Sequence, residues 1–148
     1  MTIDILPTVA GLAGAKLPAH PIDGLDIWPL VSAQPGARSP HQAYFFYWGR
    51  HLEAVRSGRW KLHFPHTYQT LAGRPGGSDG KMVQYRQAQT PMALYDLEKD
   101  PGETANLADE HPDVVERLKG LGNQARAELG DTTTKQAGTG VRPPGQID

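Results

Sequence analysis

Six histidines are the first residues to consider for chemistry, because imidazole binds metal ions and transfers protons near neutral pH. His63 and His66 are separated by three positions. On one strand this spacing points the two rings to opposite faces of the sheet, and no second pair has a spacing typical of metal ligands. The sequence therefore does not favour a zinc site.

Nucleophilic catalysis also finds little support in the sequence. The chain contains no cysteine, which excludes thiolate nucleophiles, thiolate metal sites and disulfides and leaves the redox compartment undetermined. Ser39, Ser57 and Ser78 all lack the Gly-x-Ser-x-Gly context that presents a serine nucleophile on a sharp turn. We predict no catalytic residue in this chain.

Cationic side chains offer a binding role instead. Arg50 and His51 follow an aromatic segment at a position where a loop could present positive charge to an anionic ligand. The alternative is a solvated hairpin end without a ligand. An anion could also be bound near the next turn, by Arg56, Arg59 and Lys61. However, charged residues at exposed strand positions usually contact only solvent.

Residues 94–107 (LYDLEKDPGETANL) combine a short strand with an acidic turn that could hold calcium. An EF-hand loop that starts at Asp96 would need glycine at its sixth position and glutamate at its twelfth. Those positions hold Pro101 and Leu107. The spacing thus favours a solvated turn over a metal site, because proline and Gly102 break strand pairing.

Composition limits the classes of partner. The 148 residues include 15 Lys and Arg and 16 Asp and Glu, so the net charge of −1 disfavours nucleic acid and anionic membranes as partners. No apolar run approaches the roughly 18 residues of a membrane span. Residues 1–4 lack a basic segment before an apolar core, so the sequence predicts no signal peptide.

Hydrophobic periodicity predicts the elements. Residues 3–13 form a short helix capped by Asp4, with Ile5, Val9 and Leu12 on one face. Residues 16–40 read as an irregular connector. Residues 43–48 suit a buried strand, residues 52–64 a hairpin, and residues 66–91 a long exposed loop. A further strand covers residues 93–98 and an amphipathic helix residues 112–128.

These elements predict an α+β fold, in which three or four antiparallel strands pack against a C-terminal helix. Three regions follow from this assignment: residues 1–42, residues 43–130 and a tail at residues 131–148 that either stays mobile or lies on a neighbouring surface. The connector is longer than the usual loop, which suggests that residues 1–42 accompany a larger body.

Three blocks in order carry a family resemblance: residues 4–31 (DILPTVAGLAGAKLPAHPIDGLDIWPLV), residues 54–65 (AVRSGRWKLHFP) and residues 94–118 (LYDLEKDPGETANLADEHPDVVERL). Together they resemble the C-terminal third of the sulfatase family, which includes arylsulfatase A and bacterial enzymes similar to N-acetylgalactosamine-6-sulfatase. The resemblance implies that residues 1–42 are a remnant helix and connector of a large α/β domain, and that residues 43–130 are the smaller C-terminal subdomain.

The resemblance also implies a chemistry that this chain does not carry. Family members hydrolyse sulfate esters with a formylglycine, made from Cys or Ser in a Cys-x-Pro-x-Arg motif, beside a bound calcium ion. No such motif and no metal-binding Asp pair occurs here. The implied role is that of a part: Arg50, His51, His66 and the loop up to Gln89 are expected at the rim of the pocket for a sulfated small molecule or glycan. The implied location is periplasmic or secreted.

Two hypotheses follow. The chain is either the C-terminal part of a sulfatase, a truncated or split gene product that is inactive alone, or a non-catalytic module that binds carbohydrate or protein. In the first case the absent domain would leave apolar side chains uncovered. We then expect either self-association or a loosely held N-terminal segment, and the side chains concerned are Ile5, Val9, Leu12, Trp28 and Leu30.

Overall fold

The computed structural model describes residues 1–142 and separates into two compact units, Met1–Gln42 and Ala43–Asp148. The first unit contains a 3₁₀ turn at Thr2–Asp4, helix α1 at Ile5–Ala13 and the one-turn helix α2 at Trp28–Val31. Among residues 43–142, the second contains six strands and one long helix. Among residues 1–142, no helix is both long enough and apolar enough to cross a membrane.

The first unit is organised around the Asp4 carboxylate, which is fully buried. Asp4 precedes α1, as predicted, but its side chain does not cap the helix. Instead Oδ1 accepts the Leu25 N–H at 2.9 Å and lies 2.7 Å from His41 Nε2, and Oδ2 accepts the Met1 amine at 2.8 Å. Burial raises the pKa of Asp4, but these hydrogen bonds outweigh it and hold the pKa at about 2.

The same unit ties the connector to α1. The Thr8 hydroxyl donates to the Asp4 carbonyl at 2.6 Å and accepts the Ile27 N–H at 3.0 Å. Residues 16–40 were predicted to form a wholly irregular connector. This prediction is wrong at Trp28–Val31, which form helix α2. Ile5, Val9 and Leu12 share the predicted face of α1, and each exposes more than half of its surface.

The second unit is built on a four-stranded antiparallel sheet in the order β1-β2-β3-β6, with β1 at Tyr44–Trp48, β2 at His51–Ser57, β3 at Trp60–His63 and β6 at Ala93–Asp96. The hairpin of β2 and β3 is confirmed, and Gly58 permits its turn with φ of 59°. Val55, Leu62 and Leu94 lie opposite one another across three strands and form one buried row.

Helix α3, Pro112–Leu129, packs on β2 and β3 and completes the predicted α+β arrangement. The core joins the inner face of the sheet to this helix and consists of Leu52, Val55, Leu62, Phe64, Leu94, Val115, Leu118, Leu121 and Ala125. Leu129, the last residue of the helix, is 42% exposed.

Two strand assignments need correction. Residues 66–91 were predicted as one exposed loop, but β4 at His66–Thr70 pairs antiparallel with β5 at Arg86–Thr90 as a separate two-stranded sheet. Most side chains of these two strands are exposed to solvent, and accordingly most of them are polar. Strand β1 was predicted to be buried, yet it lies at a sheet edge and leaves Trp48 73% exposed.

The segment after α3 lies on the neighbouring surface, the second of the two alternatives, as far as residue 140. Asp131 and Gln136 form a short antiparallel bridge, and the Thr139 and Gly140 N–H groups donate to carbonyls of α3 at 2.9 and 2.8 Å. The remaining tail from residue 143 lies outside the described residues.

Candidate functional site

An open cleft of about 510 Å³ lies at one end of the second unit. Its walls come from the turn between β1 and β2, from the paired ends of β4 and β5, and from the loop after α3. The lining residues are Trp48, His51, Glu53, Pro65, His66, Thr67, Gln89, Thr90 and Thr133. A volume between about 300 and 1,000 Å³ is typical of small-molecule sites, so the cleft is large enough for a ligand.

The turn between β1 and β2 places an aromatic ring beside an imidazole. Trp48 and His51 are paired across the two strands, and Gly49 makes the tight connection possible with φ of 57°. Arg50 is exposed in this turn. Its carbonyl accepts the N–H of Thr132 at 3.0 Å, which joins the turn to the loop after α3.

Asp131 fixes that loop. Its carboxylate is buried, accepts Arg126 Nε at 2.8 Å and accepts the Thr133 N–H at 2.8 Å. Burial raises the pKa of Asp131, but the hydrogen bonds from Arg126 and Thr133 outweigh it and lower the pKa below its usual value. The loop is thereby held as part of the cleft wall.

The anchored loop orients His51. The hydroxyls of Thr132 and Thr133 lie 2.8 and 3.1 Å from His51 Nδ1. Since both hydroxyls contact Nδ1, the opposite nitrogen, Nε2, is the ring atom left to reach a ligand. The exposed position of His51 suits it to a ligand that enters from solvent.

His66 is oriented by the backbone. Its Nδ1 lies 2.7 Å from the Phe64 carbonyl oxygen, and because a carbonyl can only accept, Nδ1 carries the hydrogen. In the neutral ring Nε2 is then a hydrogen-bond acceptor. It lies 3.8 Å from Glu53 Oε2, beyond hydrogen-bond distance.

A second charged cluster lies next to His66. Glu103 Oε1 accepts Lys61 Nζ at 2.5 Å, and Glu103 Oε2 lies 2.8 Å from His63 Nε2. Burial lowers the pKa of His63, with the Lys61 charge as the next cause, while Glu103 opposes both. Burial raises the pKa of Glu103, but Lys61 and His63 outweigh it and the pKa falls below its usual value.

His63 and His66, which were predicted to point to opposite faces of the sheet, have stacked rings. Their ring centroids are 5.5 Å apart with an interplanar angle of 17°. The prediction is wrong because it assumed one continuous strand. β3 ends at His63, and Pro65 precedes the start of β4 at His66, so the alternation of faces does not carry across.

The acidic turn after β6 is less solvated than predicted. Asp96 is buried and paired with Arg59, and Asp100 accepts the N–H groups of Thr104 and Ala105 at 2.6 and 2.9 Å. Glu103 belongs to the cluster with Lys61. These carboxylates are therefore committed to protein partners.

Within residues 1–142, no group of three or more His, Cys, Asp or Glu side chains is placed so that it could hold a metal ion.

The structure brings two of the three residues predicted for a pocket rim into one cleft: His51 and His66 both line it. Arg50 lies in the adjoining turn and is not one of the lining residues, but its carbonyl accepts the Thr132 N–H next to Thr133. Sequence reasoning missed Trp48, Glu53 and Thr133. Trp48 could have been found from its pairing with His51 across a two-residue hairpin turn, but Thr133 joins the site only through tertiary contacts.

Comparison with known proteins places the second unit. The model of the family described as the C-terminal region of aryl-sulfatase matches residues 39–146. The chain therefore belongs to the sulfatase family, as its C-terminal region. The sequence resemblance is thereby confirmed.

Individual sulfatases are also similar to this chain. Arylsulfatase A of Homo sapiens is 36% identical over 99% of this chain and 31% of its own length. Steryl-sulfatase of Mus musculus is 34% identical over 86% of this chain and 22% of its own. The crystal structure of a putative sulfatase from Bacteroides thetaiotaomicron is 25% identical with a TM-score of 0.57, covering 90% of this chain and 26% of that one. The chain thus spans less than a third of the length of these relatives.

Proposed function

We propose that this chain serves as the C-terminal subdomain of a sulfuric ester hydrolase and forms part of the rim of its substrate pocket. The observation that carries the proposal is that His51 and His66 line one cleft in a chain that belongs to the sulfatase family. In this role residues 1–42 are the remnant helix and connector of the large domain. The ligand class is a sulfated small molecule or glycan.

The side chains of the cleft suit recognition rather than bond cleavage. Imidazole nitrogens can donate to sulfate oxygens when protonated, and Arg50 in the adjoining turn adds a permanent positive charge. The chain has no cysteine and no Ser-x-Pro-x-Arg motif from which a formylglycine could form. We therefore propose that calcium and formylglycine belong to the full-length enzyme, in a periplasmic or secreted location, and that this chain alone is inactive.

The test uses the purified 148-residue chain. We expect no hydrolysis of p-nitrophenyl sulfate with or without calcium, while sodium sulfate perturbs the His51 and His66 signals in NMR spectra. Arg50→Met should weaken the response to sulfate, and Arg74→Met, outside the cleft, should not. Calcium-dependent turnover would refute inactivity, and histidine signals that ignore sulfate would refute the rim.

A second function, a non-catalytic carbohydrate- or protein-binding module, has one observation in its favour. All residues that line the cleft belong to the second unit. This alternative expects calorimetric binding of a sulfated glycan by the isolated chain. A titration without detectable heat would argue against the binding module, and it would remain compatible with a pocket rim that binds weakly when isolated.

A further inference from the structure

The chain contains two Asp-Gly dipeptides, Asp23-Gly24 and Asp79-Gly80, and no Asn-Gly. An Asp-Gly dipeptide is chemically labile because glycine has no Cβ atom to shield its backbone nitrogen from the preceding aspartate side chain. That nitrogen can attack Cγ of the aspartate and close a succinimide ring. In a folded protein the reaction depends on how freely the two residues can move, and the two dipeptides differ in this respect.

Asp79-Gly80 forms the centre of an exposed turn in the loop between β4 and β5. The Lys81 N–H donates to the Ser78 carbonyl at 2.9 Å, and φ is 53° at Asp79 and 71° at Gly80. Positive φ at both central positions is typical of a type I′ turn, and it costs aspartate more than glycine. Both residues are exposed, and a Cβ atom added at Gly80 would meet nothing within 4 Å. The packing around this turn therefore leaves room for the Asp79 side chain to reach the Gly80 nitrogen.

Asp23-Gly24 lies in the opposite environment. Gly24 is buried, and a Cβ atom added there would stand 1.9 Å from the Ile3 carbonyl oxygen. The next residue is also held, because the Leu25 N–H donates to the buried Asp4 carboxylate at 2.9 Å. Ring closure requires the backbone between aspartate and glycine to rotate, and close packing of this segment resists that rotation.

We propose that Asp79 is a site of spontaneous isomerisation to isoaspartate, while Asp23 is protected in the folded chain. The Gly80 nitrogen forms a bond to Asp79 Cγ, and its proton leaves with the carboxyl hydroxyl as one water molecule. A second water molecule then opens the succinimide. Opening at Cγ restores aspartate, and opening at the main-chain carbonyl routes the backbone through the side chain as isoaspartate. Water is the only co-reactant, and no group is oxidised or reduced.

The change stays at one end of the two-stranded sheet. Isomerisation adds one carbon to the main chain of the turn, so the turn cannot keep its geometry. The paired residues that adjoin this loop are Thr70 and Arg86, whereas His66 and Thr90, which line the cleft, are paired at the far end of β4 and β5. The inference is therefore independent of the proposed function, and the cleft should be unchanged by it.

The experiment incubates the full chain in H₂¹⁸O at physiological temperature and neutral pH, folded in one sample and unfolded by urea in another. Tryptic digestion and mass spectrometry with electron-transfer dissociation then locate isoaspartate and incorporated ¹⁸O. Asp79 is the only Asp or Asn in residues 62–81, and Asp23 lies in residues 17–38. We expect isoaspartate at Asp79 but not at Asp23 in the folded chain, and at both positions in urea.

Three variants test the chemistry at the turn. Asp79→Glu keeps the charge but requires closure of a larger ring, so the isoaspartate signal should be lost. Gly80→Ala places a methyl group beside the attacking nitrogen and should reduce the signal several-fold, whereas Gly76→Ala, at another open position of the same loop, should leave it unchanged. Absence of isoaspartate at Asp79, or equal rates at Asp79 and Asp23 in the folded chain, would overturn the proposal.

Discussion

The Phe64 ring lies directly against Gly122 of α3. A Cβ atom added at position 122 would stand 2.5 Å from Cζ and 3.0 Å from Cε2 of that ring. The Arg126 guanidinium, one turn further along α3, lies over the same ring at 4.1 Å from its centroid. The helix can approach the sheet this closely only because position 122 has no side chain.

Gly122→Ala should therefore destabilise the second unit. The new methyl group overlaps an aromatic ring in a packed core, and overpacking of this kind costs about 1–3 kcal/mol of unfolding free energy. Gly120→Ala is the matched control, because a Cβ there meets nothing within 4 Å and should stabilise the helix by about 0.5–1 kcal/mol. Urea unfolding of both variants measures the difference, and equal stabilities would contradict the packing.

His63 should titrate below its usual pKa of 6.5, since burial and Lys61 both disfavour its charged form. Lys61→Met should raise this pKa and Glu103→Gln should lower it further, because the first removes a repulsive charge and the second an attractive one. NMR titration of the His63 ring proton reports both shifts. Opposite signs in the two variants would refute the assignment of causes.

The same pKa sets a dependence of stability on pH. The folded state holds the His63 proton less tightly than the unfolded chain does, so the free energy of unfolding falls as the pH falls below 6.5. Above that pH the contribution of neutral His63 is complete. His63→Gln, which cannot titrate, should show a flatter stability profile between neutral and mildly acidic pH.

Asp4 should confer acid sensitivity on the first unit. Its pKa lies at about 2 in the folded chain against 3.8 as the ordinary value, so the carboxylate stabilises the folded state above pH 3.8 and loses this effect as the pH falls through about 2. The shift corresponds to about 2 kcal/mol. ¹³C NMR of the Asp4 carboxyl measures the pKa directly, and a value near 3.8 would contradict the buried hydrogen-bond geometry.

Self-association through α1 remains a prediction. Ile5, Val9 and Leu12 are 60%, 55% and 56% exposed on one face of this helix, and contiguous exposed apolar side chains favour association. Sedimentation velocity should show a concentration-dependent increase in mass. The double substitution Val9→Lys with Leu12→Lys should abolish it, whereas Ala19→Lys, which adds charge at an exposed position outside the face, should not. A monomeric parent chain would contradict the prediction.

Local pattern was sufficient for the elements whose stability comes from periodic burial. The alternation of Trp60, Leu62 and Phe64 with polar neighbours predicted the β2–β3 hairpin, and the apolar stripe of residues 112–128 predicted α3. Both succeeded because a period of two or of 3.6 is written directly into the order of apolar side chains. The pattern did not predict strands β4 and β5. Their pairing rests on backbone hydrogen bonds, which have little effect on which side chains occur in the sequence.

The sequence by itself determined the family, the α+β class and the candidacy of His51 and His66 for one rim. Tertiary structure alone decided that Glu53 and Thr133 line the same cleft as these two histidines. The physical reason is that these residues meet through strand pairing across the sheet and through the buried Asp131–Arg126 contact after α3. Such long-range contacts depend on how the whole unit packs, and no local spacing encodes them.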